Sequence, residues 1–598
     1  MRNRLLALRQ SLRELDLCGF IIPHADEHQC EYTPERARRL TWLTGFAGSA
    51  GLSAITLNQG AIYVDGRYTL QVKNQVDVHD FEPLKLHEDK LEEWFLSGLE
   101  QGCRVGYDPM LHTQGWIEKL SKPLADAGIE LVPVVSNPID GLWADRPESL
   151  KKPVFPQPLE FSGEKSRHKR ARLGAELKAD NLKAAVLTSL DSIAWLLNIR
   201  GSDVDHSPLV LGYLILKNTG KADFFVDEDK ISDEVRTHLG AGVSIKPYAN
   251  FLAAVKKLGR GKGKTKNRIL LDPKQAPVAV REALCQGGAE VVEKQDPCQL
   301  PKACKNETEL NGMRAAHIRD GVAMCKFLFW FEENVASGEI DELVATDVLL
   351  KFRQNQANFR GLSFDTISGA GPNGAIVHYR SSPETNRRIK GNMLYLLDSG
   401  GQYLDGTTDL TRTLAIGKPT EEQRDRYTRV LKGHIALAQA RFPVGRSGAH
   451  LDVLARKPLW DVGLDYDHGT GHGVGCYLGV HEGPQSISRM GFEVSLQPGM
   501  VLSNEPGFYK AGEYGIRIEN LMIVRPSHFE GEDRPMNIFE TITFVPIDTR
   551  LVNAHMMSSA EITWLNIYHA QVREKISPYL EDSELDWLVR ATQSVMVI

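Results

Sequence analysis

The sequence of 598 residues has little cysteine and no long apolar segment. Its eight cysteines form no C-x-x-C pair, a sparse usage that is typical of reduced thiols in the cytosol. No window approaches the roughly 18 consecutive apolar residues of a transmembrane helix. The first residues, MRNRLLALRQ, place arginines among the leucines and so lack the unbroken apolar core of a signal peptide. We therefore expect a cytoplasmic protein with no membrane partner.

The sequence also lacks an excess of charge of either sign. The 71 basic and 77 acidic residues give a formal net charge of -6, which offers no general attraction for nucleic acid or anionic membranes. The basic segment from Lys256 to Arg268 contains glycine but no aromatic residue on which a base would stack. We interpret it as a solvated loop, and we expect peptides or small molecules rather than nucleic acid as partners.

Two composition changes divide the chain into three regions. The segment PVFPQP, which begins at Pro153, has three prolines in six residues and leads into a polar, basic stretch. Further on, Asn306 with Glu309 three residues later is typical of a helix N-terminus. We expect domains at residues 1–152, 153–305 and 306–598.

The first two regions share a short internal repeat. WLTGFAGS at 42–49 and WLLNIRGS at 195–202 have Trp, Leu, Gly and Ser at the same spacing. Each is followed by a strand-like run that ends in aspartate, at Asp65 and at Asp227. The repeat predicts two related α/β domains, with an architectural or regulatory role, ahead of a third region of different pattern.

The third region contains HGTGHGVG at 468–475, with two histidines four positions apart. In a helix this spacing is typical of two zinc ligands. Four of the eight residues are glycine, however, and glycine strongly disfavours a helix. The stretch alone leaves open whether both histidines, one of them or neither binds a metal.

Four carboxylates in the same region follow strand-like segments. NMLYLLDSGGQYLDGTTDLTRTLAI predicts a β-hairpin, with one strand ending at Asp398, a glycine-rich turn, and a second arm from Thr407 to Ile416 that carries Asp409. Glu505 ends the apolar strand of GMVLSNEPGFY. In GIRIEN, alternation puts Arg517 and Glu519 on one side and the isoleucines on the other.

Any one of these acids alone would be interpreted as a turn former or half of a surface ion pair. Together in an apolar sheet they would repel one another and lose hydration, unless cations neutralise them. Oxygen donors with one imidazole suit Mn²⁺, Fe²⁺ or Co²⁺ better than a sulfur-rich zinc site does. Four acids exceed the needs of one ion, whereas two ions share bridging carboxylates and hold a hydroxide between them. The predicted chemistry is metal-assisted hydrolysis.

Five blocks of this region, in order, resemble the signatures of the pita-bread metallopeptidases, and in particular of the cytosolic, three-domain aminopeptidase P subfamily. They are the segment IVHYR, followed by LLDSGGQYLDGTTDLTRT, by HGTGHGVG with VHEG, by NEPGFY and by GIRIEN. The resemblance implies an α/β (α+β) chain with two related N-terminal creatinase-like domains and a C-terminal pita-bread catalytic domain.

The resemblance also implies a role for each site residue. Asp398 would bind one metal ion, Asp409 and Glu519 would bridge both ions, and His472 and Glu505 would hold the other. The two ions would be divalent, with Mn²⁺ expected and Co²⁺, Fe²⁺ or Zn²⁺ as alternatives. His378 and His481 would bind substrate and stabilise the transition state. His468 would line the substrate pocket, and Arg517 would support the ligands from behind.

The implied activity is removal of the N-terminal residue from peptides with proline in second position, by attack of a metal-bridging hydroxide on the Xaa-Pro bond. Glu505 is the expected proton acceptor, and a homodimer is the expected assembly. Tyr379 or Tyr509 could complete a pocket for the proline ring. Two alternatives stay open at this point. One is another enzyme of the same fold, such as a prolidase that cuts X-Pro dipeptides, and the other is a non-catalytic module that keeps the fold for binding.

Overall fold

The computed structural model describes residues 2–261, 266–528 and 530–596. These residues form two compact units, one of residues 1–159 and 164–299, the other of residues 160–163 and 300–598. Of the basic segment, Lys262 and Lys264 lie outside the described residues. Among the described helices, none is long and apolar enough to cross a membrane.

The first unit contains two six-stranded mixed sheets. In spatial order, the strands of the first sheet are Glu82–Lys85, Gly60–Val64, Gly51–Thr56, Gly19–Pro23, Arg104–Tyr107 and Glu130–Pro133. The strands of the second sheet are Val243–Pro247, Ala222–Val226, Tyr213–Lys217, Ala184–Leu187, Arg268–Leu271 and Glu290–Glu293. Parallel and antiparallel pairs follow the same order in both sheets. The predicted internal repeat is therefore a repeat of the whole topology.

Helices of matching position accompany the two sheets. Those of the first repeat are Arg2–Glu14, Arg39–Thr44, Gln71–Gln75, Leu91–Gly98, Gln114–Asp126 and Pro138–Leu142. Those of the second are Ser166–Ala179, Leu190–Leu197, Asp233–Leu239, Phe251–Leu258 and Val278–Gln286. The tryptophan echo marks one shared feature, because Gly45 and Asn198 end their helices in the same left-handed conformation.

The second unit surrounds small antiparallel sheets with helices. The helices are Glu307–Val335, Glu342–Gln354, Glu421–Ala438, Ala449–Trp460, Ser559–Ile576 and Asp582–Ala591. The longest begins at Asn306, whose side chain accepts a hydrogen bond from the Glu309 amide while Glu309 caps the Asn306 amide, as predicted. Its apolar side packs with strand residues such as Tyr395 and Leu414 into the largest core of this unit.

The strands that carry the predicted acids belong to this unit. They are Phe359–Leu362, Ile367–Ala370, Met393–Ser399, Gly401–Tyr403, Gly406–Thr407, Leu410–Ile416, Phe442–Pro443, Gly471–His472, Ser486–Ile487, Val501–Asn504, Gly507–Lys510, Tyr514–Arg517, Asn520–Pro526 and Met536–Thr541. Val501–Asn504, Asn520–Pro526, Met536–Thr541 and Phe442–Pro443 make one sheet.

The predicted hairpin exists, but its connection is not a simple turn. Met393–Ser399 pairs antiparallel with Leu410–Ile416, and Asp398 lies opposite Thr411. Between them the chain forms a second, smaller hairpin of Gly401–Tyr403 with Gly406–Thr407, which joins Phe359–Leu362 in a separate sheet. The long arm therefore starts at Leu410, three residues later than Thr407, because Gly406 and Thr407 pair elsewhere.

Candidate metal centre

The long hairpin and the adjacent strands deliver the four carboxylates to one place. Asp398 is the penultimate residue of its strand, and Asp409 directly precedes the opposing one. Glu505 follows Val501–Asn504, and Glu519 stands between two strands. All four carboxylates lie at or next to strand ends. The backbone hydrogen bonds of the adjoining strand hold each acid in place.

The HGTGHGVG stretch forms a loop and a short strand rather than a helix. Gly471 and His472 pair with Ser486–Ile487. A Cβ on Gly471 would lie 2.0 Å from the Ser503 carbonyl oxygen, so only glycine lets this strand approach the one that leads to Glu505. The glycines thus place His472 beside the acids, as its expected role requires.

Ligand atoms of these residues form three overlapping groups, each with its atoms within 4.8 Å of one another. The groups are Asp398 with Asp409 and Glu519, His472 with Glu505 and Glu519, and Asp409 with His472 and His481. The His472 Nε2 atom lies 3.4 Å from a carboxylate oxygen of both Asp409 and Glu505. Asp409, His472 and Glu519 each belong to two of the groups, so the three groups form one continuous cluster.

Burial and mutual repulsion disfavour the charged form of these acids. Burial, with Asp409 and Glu505 nearby, raises the pKa of Asp398 to about 7 against the opposing effect of Arg517. Burial also raises the pKa of Glu505, and raises that of Glu519 well above its usual range. Burial alone would lower the pKa of His472, but Asp409 and Glu505 raise it to about 9. Nearby positive charge would therefore stabilise the ionised form of these carboxylates.

The donor set fits divalent cations. Asp398 Oδ1 and Glu519 Oε1 are buried and have no hydrogen-bond partner among the described residues, although buried carboxylate oxygens normally have one. His472 Nδ1 lies 2.9 Å from the Gly473 carbonyl oxygen, so this nitrogen donates its proton there, and Nε2 is the nitrogen that faces the acids and that a metal ion would bind in place of a proton. Four carboxylates with an imidazole suit hard ions such as Mn²⁺.

A hydrogen-bond chain connects Arg517 with His468. Arg517 donates to Asp398 Oδ2 at 2.6 Å and to the Tyr509 hydroxyl at 2.6 Å. Because arginine only donates, that hydroxyl has its own proton available for His468 Nε2, 2.9 Å away. His468 Nδ1 lies 4.0 Å from Glu505, so His468 borders the cluster without joining the three groups.

The other two histidines continue from His472, with His481 next to it and His378 beyond His481. The rings of His481 and His472 are 4.3 Å apart between centroids, in an edge-to-face arrangement. The ring of His378 is nearly parallel to that of His481, at 6.5 Å between centroids. All nine residues named from the sequence therefore fall in one contiguous region.

Sequence patterns gave no role to two supporting residues, Thr411 and Ser503. Thr411 donates to Glu519 Oε2 at 2.7 Å and accepts from Arg517 Nε, and Ser503 donates to Glu505 Oε1 at 3.1 Å. Both hydroxyls lie on the ligand strands, and alternation with the acids is the signal that would have found them. Tyr509, which the sequence suggests as a pocket residue, has the additional role of accepting a hydrogen bond from Arg517.

Arg517→Met tests whether this arginine positions the acids. The variant loses the planar fork that holds Asp398 and Tyr509, and we expect Mn²⁺ affinity to fall about 10–100-fold, the usual effect of losing a residue that orients a ligand. Arg517→Lys keeps the charge but not the fork, and should fall in between. Competition with a chelating dye measures both. Wild-type affinity in Arg517→Met would contradict the assignment.

Comparison with known proteins places this site in a family. The family model of "Metallopeptidase family M24" matches residues 311–526, and the model of its C-terminal region matches residues 535–595. Two "Creatinase/Prolidase N-terminal domain" models match residues 4–142 and 145–309. The chain belongs to the M24 metallopeptidases, with two creatinase-type α/β domains before the catalytic domain, which confirms the predicted fold class.

Proteins that match this chain over its full length are more specific than the family models. A "Probable Xaa-Pro aminopeptidase P" of Paracoccidioides brasiliensis is 41% identical, over 99% of both chains. "Aminopeptidase P2" of Arabidopsis thaliana is 40% identical, over 99% of this chain and 88% of that one. The crystal structure of an X-prolyl aminopeptidase from Caenorhabditis elegans, described as "a cytosolic enzyme with a di-nuclear active site", aligns over 99% of both chains with a TM-score of 0.95 and 35% identity.

Proposed function

We propose that this chain is a metal-dependent exopeptidase that removes the N-terminal residue from peptides with proline in second position. The observation that carries the proposal is the oxygen-rich cluster at 398, 409, 472, 505 and 519, with two buried carboxylate oxygens that lack partners among the described residues. The full-length similarity to proteins named Xaa-Pro aminopeptidase P supports the same activity and substrate class.

Two of the groups, Asp398 with Asp409 and Glu519, and His472 with Glu505 and Glu519, support a division of the ligands between two divalent ions. We assign Asp398 to one ion, His472 and Glu505 to the other, and Asp409 and Glu519 to both. Mn²⁺ is the proposed native metal, because hard carboxylate oxygens dominate the set, with Co²⁺, Fe²⁺ or Zn²⁺ as alternatives. Such ions supply Lewis-acid activation of the peptide carbonyl and of the attacking water.

The chain's own residues supply the proton transfers. Glu505, whose Oε1 also accepts from Ser503, takes the proton of the attacking water. His481, beside His472, and His378, whose ring is nearly parallel to that of His481, donate hydrogen bonds to the tetrahedral intermediate or to the leaving amine. The substrate's free N-terminal amine binds beside an acidic ligand, which restricts cleavage to the first residue.

Proline in second position is chemically distinctive. Its tertiary amide has no N–H to donate and its ring fixes the chain direction. His468 and Tyr509, held together by their hydrogen bond, offer a wall for that ring. Tyr379, the other tyrosine suggested for this pocket, instead bonds to Glu342 and Thr385 through its hydroxyl. We therefore propose His468 and Tyr509 as the pocket wall, and Arg517 as their support.

The remaining expectations concern organisation and assembly. We propose domains at residues 1–152, 153–305 and 306–598, and the family-model matches at 4–142, 145–309 and 311–526 support this three-part division, with a first boundary that falls earlier in the chain. We also propose a cytoplasmic homodimer. Val453 and Trp460 are more than 40% exposed and lie seven residues apart on one helix, a spacing that puts them on the same face and offers an apolar contact surface. Sedimentation analysis measures the oligomeric state.

Metal removal and replacement tests the proposed function. Protein stripped with chelator should lose its activity, and Mn²⁺, Co²⁺ or Zn²⁺ added back singly should restore it to different extents. Restored protein should cleave an X-Pro-Y tripeptide at least about tenfold faster than the matched X-Ala-Y peptide, a difference of roughly 1.4 kcal/mol in the transition state. Equal cleavage of both peptides would overturn the proline specificity.

Two outcomes of the same assay would favour the alternatives. A prolidase would leave Arg-Pro-Pro uncut while it cleaves an X-Pro dipeptide. A non-catalytic module would bind no metal after reloading with Mn²⁺. The first result would move the assignment within the family, and the second would remove the enzymatic function.

A further inference from the structure

A cavity of about 630 Å³ lies in the second α/β repeat of the N-terminal unit. Four basic residues line it, Lys165, Arg167, Arg170 and Lys221, and no aspartate or glutamate is among the described residues of its lining. Several other basic side chains of this unit pair with acids, as Arg172 does with Glu164 at 3.0 Å. None of the four lining residues forms such a pair with a described residue. The volume is within the range of small-molecule sites.

Arg170 is the unusual member of the four. It is only 5% exposed, and burial lowers its pKa. Its Nη1 donates to the Gly220 carbonyl at 2.7 Å and to that of Gly242 at 3.2 Å, and its Nε to Ser166 Oγ at 3.3 Å. Nη2 has no hydrogen bond to any described residue. A buried guanidinium without a carboxylate normally costs several kcal/mol, so its presence needs a reason.

The first α/β repeat shows which residue occupies the position equivalent to Arg170. Helices Arg2–Glu14 and Ser166–Ala179 precede the equivalent strands at the same distance, which pairs Leu5 with Arg170. The preceding residues confirm the register, because Arg4 donates to the Trp42 carbonyl and Lys169 to the Trp195 carbonyl. Leu5 is 1% exposed. The second repeat therefore has arginine where the first has an ordinary core leucine.

The helix that carries Arg170 also presents its N-terminus to the cavity. This helix of 14 residues has Lys165 as its N-cap residue, with no side-chain cap and no acid in its first turn. Its first amide groups and the positive end of its dipole thus lack the usual negative partner. Lys165 and Ser166 both line the cavity. Backbone amides at a helix start, together with a guanidinium fork, are a common way to bind phosphate.

We propose that this cavity binds a small organic phosphate, with the phosphate group between Arg170 and the N-terminus of the helix at Ser166. A phosphate there would provide the counter-charge that the four basic residues lack. The volume leaves room beside the phosphate for an organic group, which would contact apolar lining residues such as Pro158 and Leu239. The inference is independent of the peptidase function.

Calorimetric titration of the metal-loaded full chain tests the proposal, with glycerol 3-phosphate and inorganic phosphate as probes at constant ionic strength. We expect both to bind, and glycerol 3-phosphate more tightly, because only it fills the cavity beyond the phosphate group. Arg170→Leu, which restores the residue of the first repeat, should weaken binding about 10–100-fold. Tighter binding of inorganic phosphate would overturn the organic ligand, and no binding beyond that of chloride would overturn the site.

Matched variants distinguish phosphate bound in this cavity from phosphate bound at the metal centre. Arg172→Gln, two residues further along the helix and outside the cavity lining, should bind like the wild type. Lys165→Gln and Lys221→Gln are exposed changes that should weaken binding without affecting folding. Phosphate held by the peptidase metals would instead be lost in His472→Ala and kept in Arg170→Leu, a result that overturns the proposal.

Discussion

His472→Ala should lose both bound metal and peptidase activity, whereas His468→Ala should keep the metal and change only how substrate is handled. The two histidines are four residues apart in one glycine-rich stretch, yet their surroundings differ. His472 Nε2 faces Asp409 and Glu505 at 3.4 Å, while His468 Nε2 faces the Tyr509 hydroxyl. The pair of variants therefore separates a ligand from a pocket wall.

The expected size of the His472→Ala effect follows from its position. A residue that merely orients a ligand changes metal affinity or activity by about 10–100-fold, and a direct ligand should exceed that. After gel filtration, we expect at least one of the two metal centres to hold less than one ion per chain. We expect the peptidase activity to be reduced more than about a hundredfold. Elemental analysis and initial rates measure the two quantities.

His468→Ala supplies the contrast. Its removal takes the acceptor from the Tyr509 hydroxyl but leaves the three ligand groups intact. We expect full metal content, a raised KM for Xaa-Pro peptides and a smaller change in kcat. Tyr509→Phe, which removes the same hydrogen bond from the other side, should give a similar but weaker change. Metal loss in His468→Ala, or full metal content in His472→Ala, would contradict the division of roles.

Much of this metal centre could be predicted, because most of its candidate ligands are recognisable from the few residues on either side of them. Three of the four acids, Asp398, Glu505 and Glu519, lie at or just after the end of a short strand and are recognisable by that position. The glycines around His472 disfavour a helix by composition alone. The repeat at Trp42 and Trp195 likewise indicates two domains of equal topology, because a helix C-cap and the strands after it are set by nearby residues.

Long-range pairing limits what the sequence predicts of the rest. The inner hairpin at Gly401–Thr407 joins Phe359–Leu362, some 40 residues earlier, and nothing in the local pattern specifies that partner. The exchange of Leu5 for Arg170 is equally invisible in sequence, because a basic residue on an amphipathic helix is usually on the solvated side. Arg170 is distinguished from an ordinary surface arginine only by its burial and by the lack of acids among the described residues that line its cavity.

A buried ion pair in the catalytic unit is another such long-range contact, and its loss should have the largest effect on stability. Arg353, fully buried on helix Glu342–Gln354, donates to both oxygens of Asp320 at 2.8 and 3.0 Å. The Tyr403 hydroxyl donates to the same carboxylate at 2.8 Å. Arg353→Met leaves a buried carboxylate without its cation, which typically costs about 3–5 kcal/mol.

Differential scanning calorimetry of the full chain measures this cost. For a unit of this size we expect the transition of the catalytic unit to fall by roughly 5–10 °C in Arg353→Met. Lys457→Met is the matched control, because Lys457 pairs with Asp461 at 2.8 Å while both side chains are more than half exposed, and such pairs contribute about 0–1 kcal/mol. The double variant Arg353→Met with Asp320→Leu should recover part of the loss, since no unpaired charge then remains buried. A double variant no more stable than Arg353→Met would show that packing, rather than the uncompensated carboxylate, sets the cost.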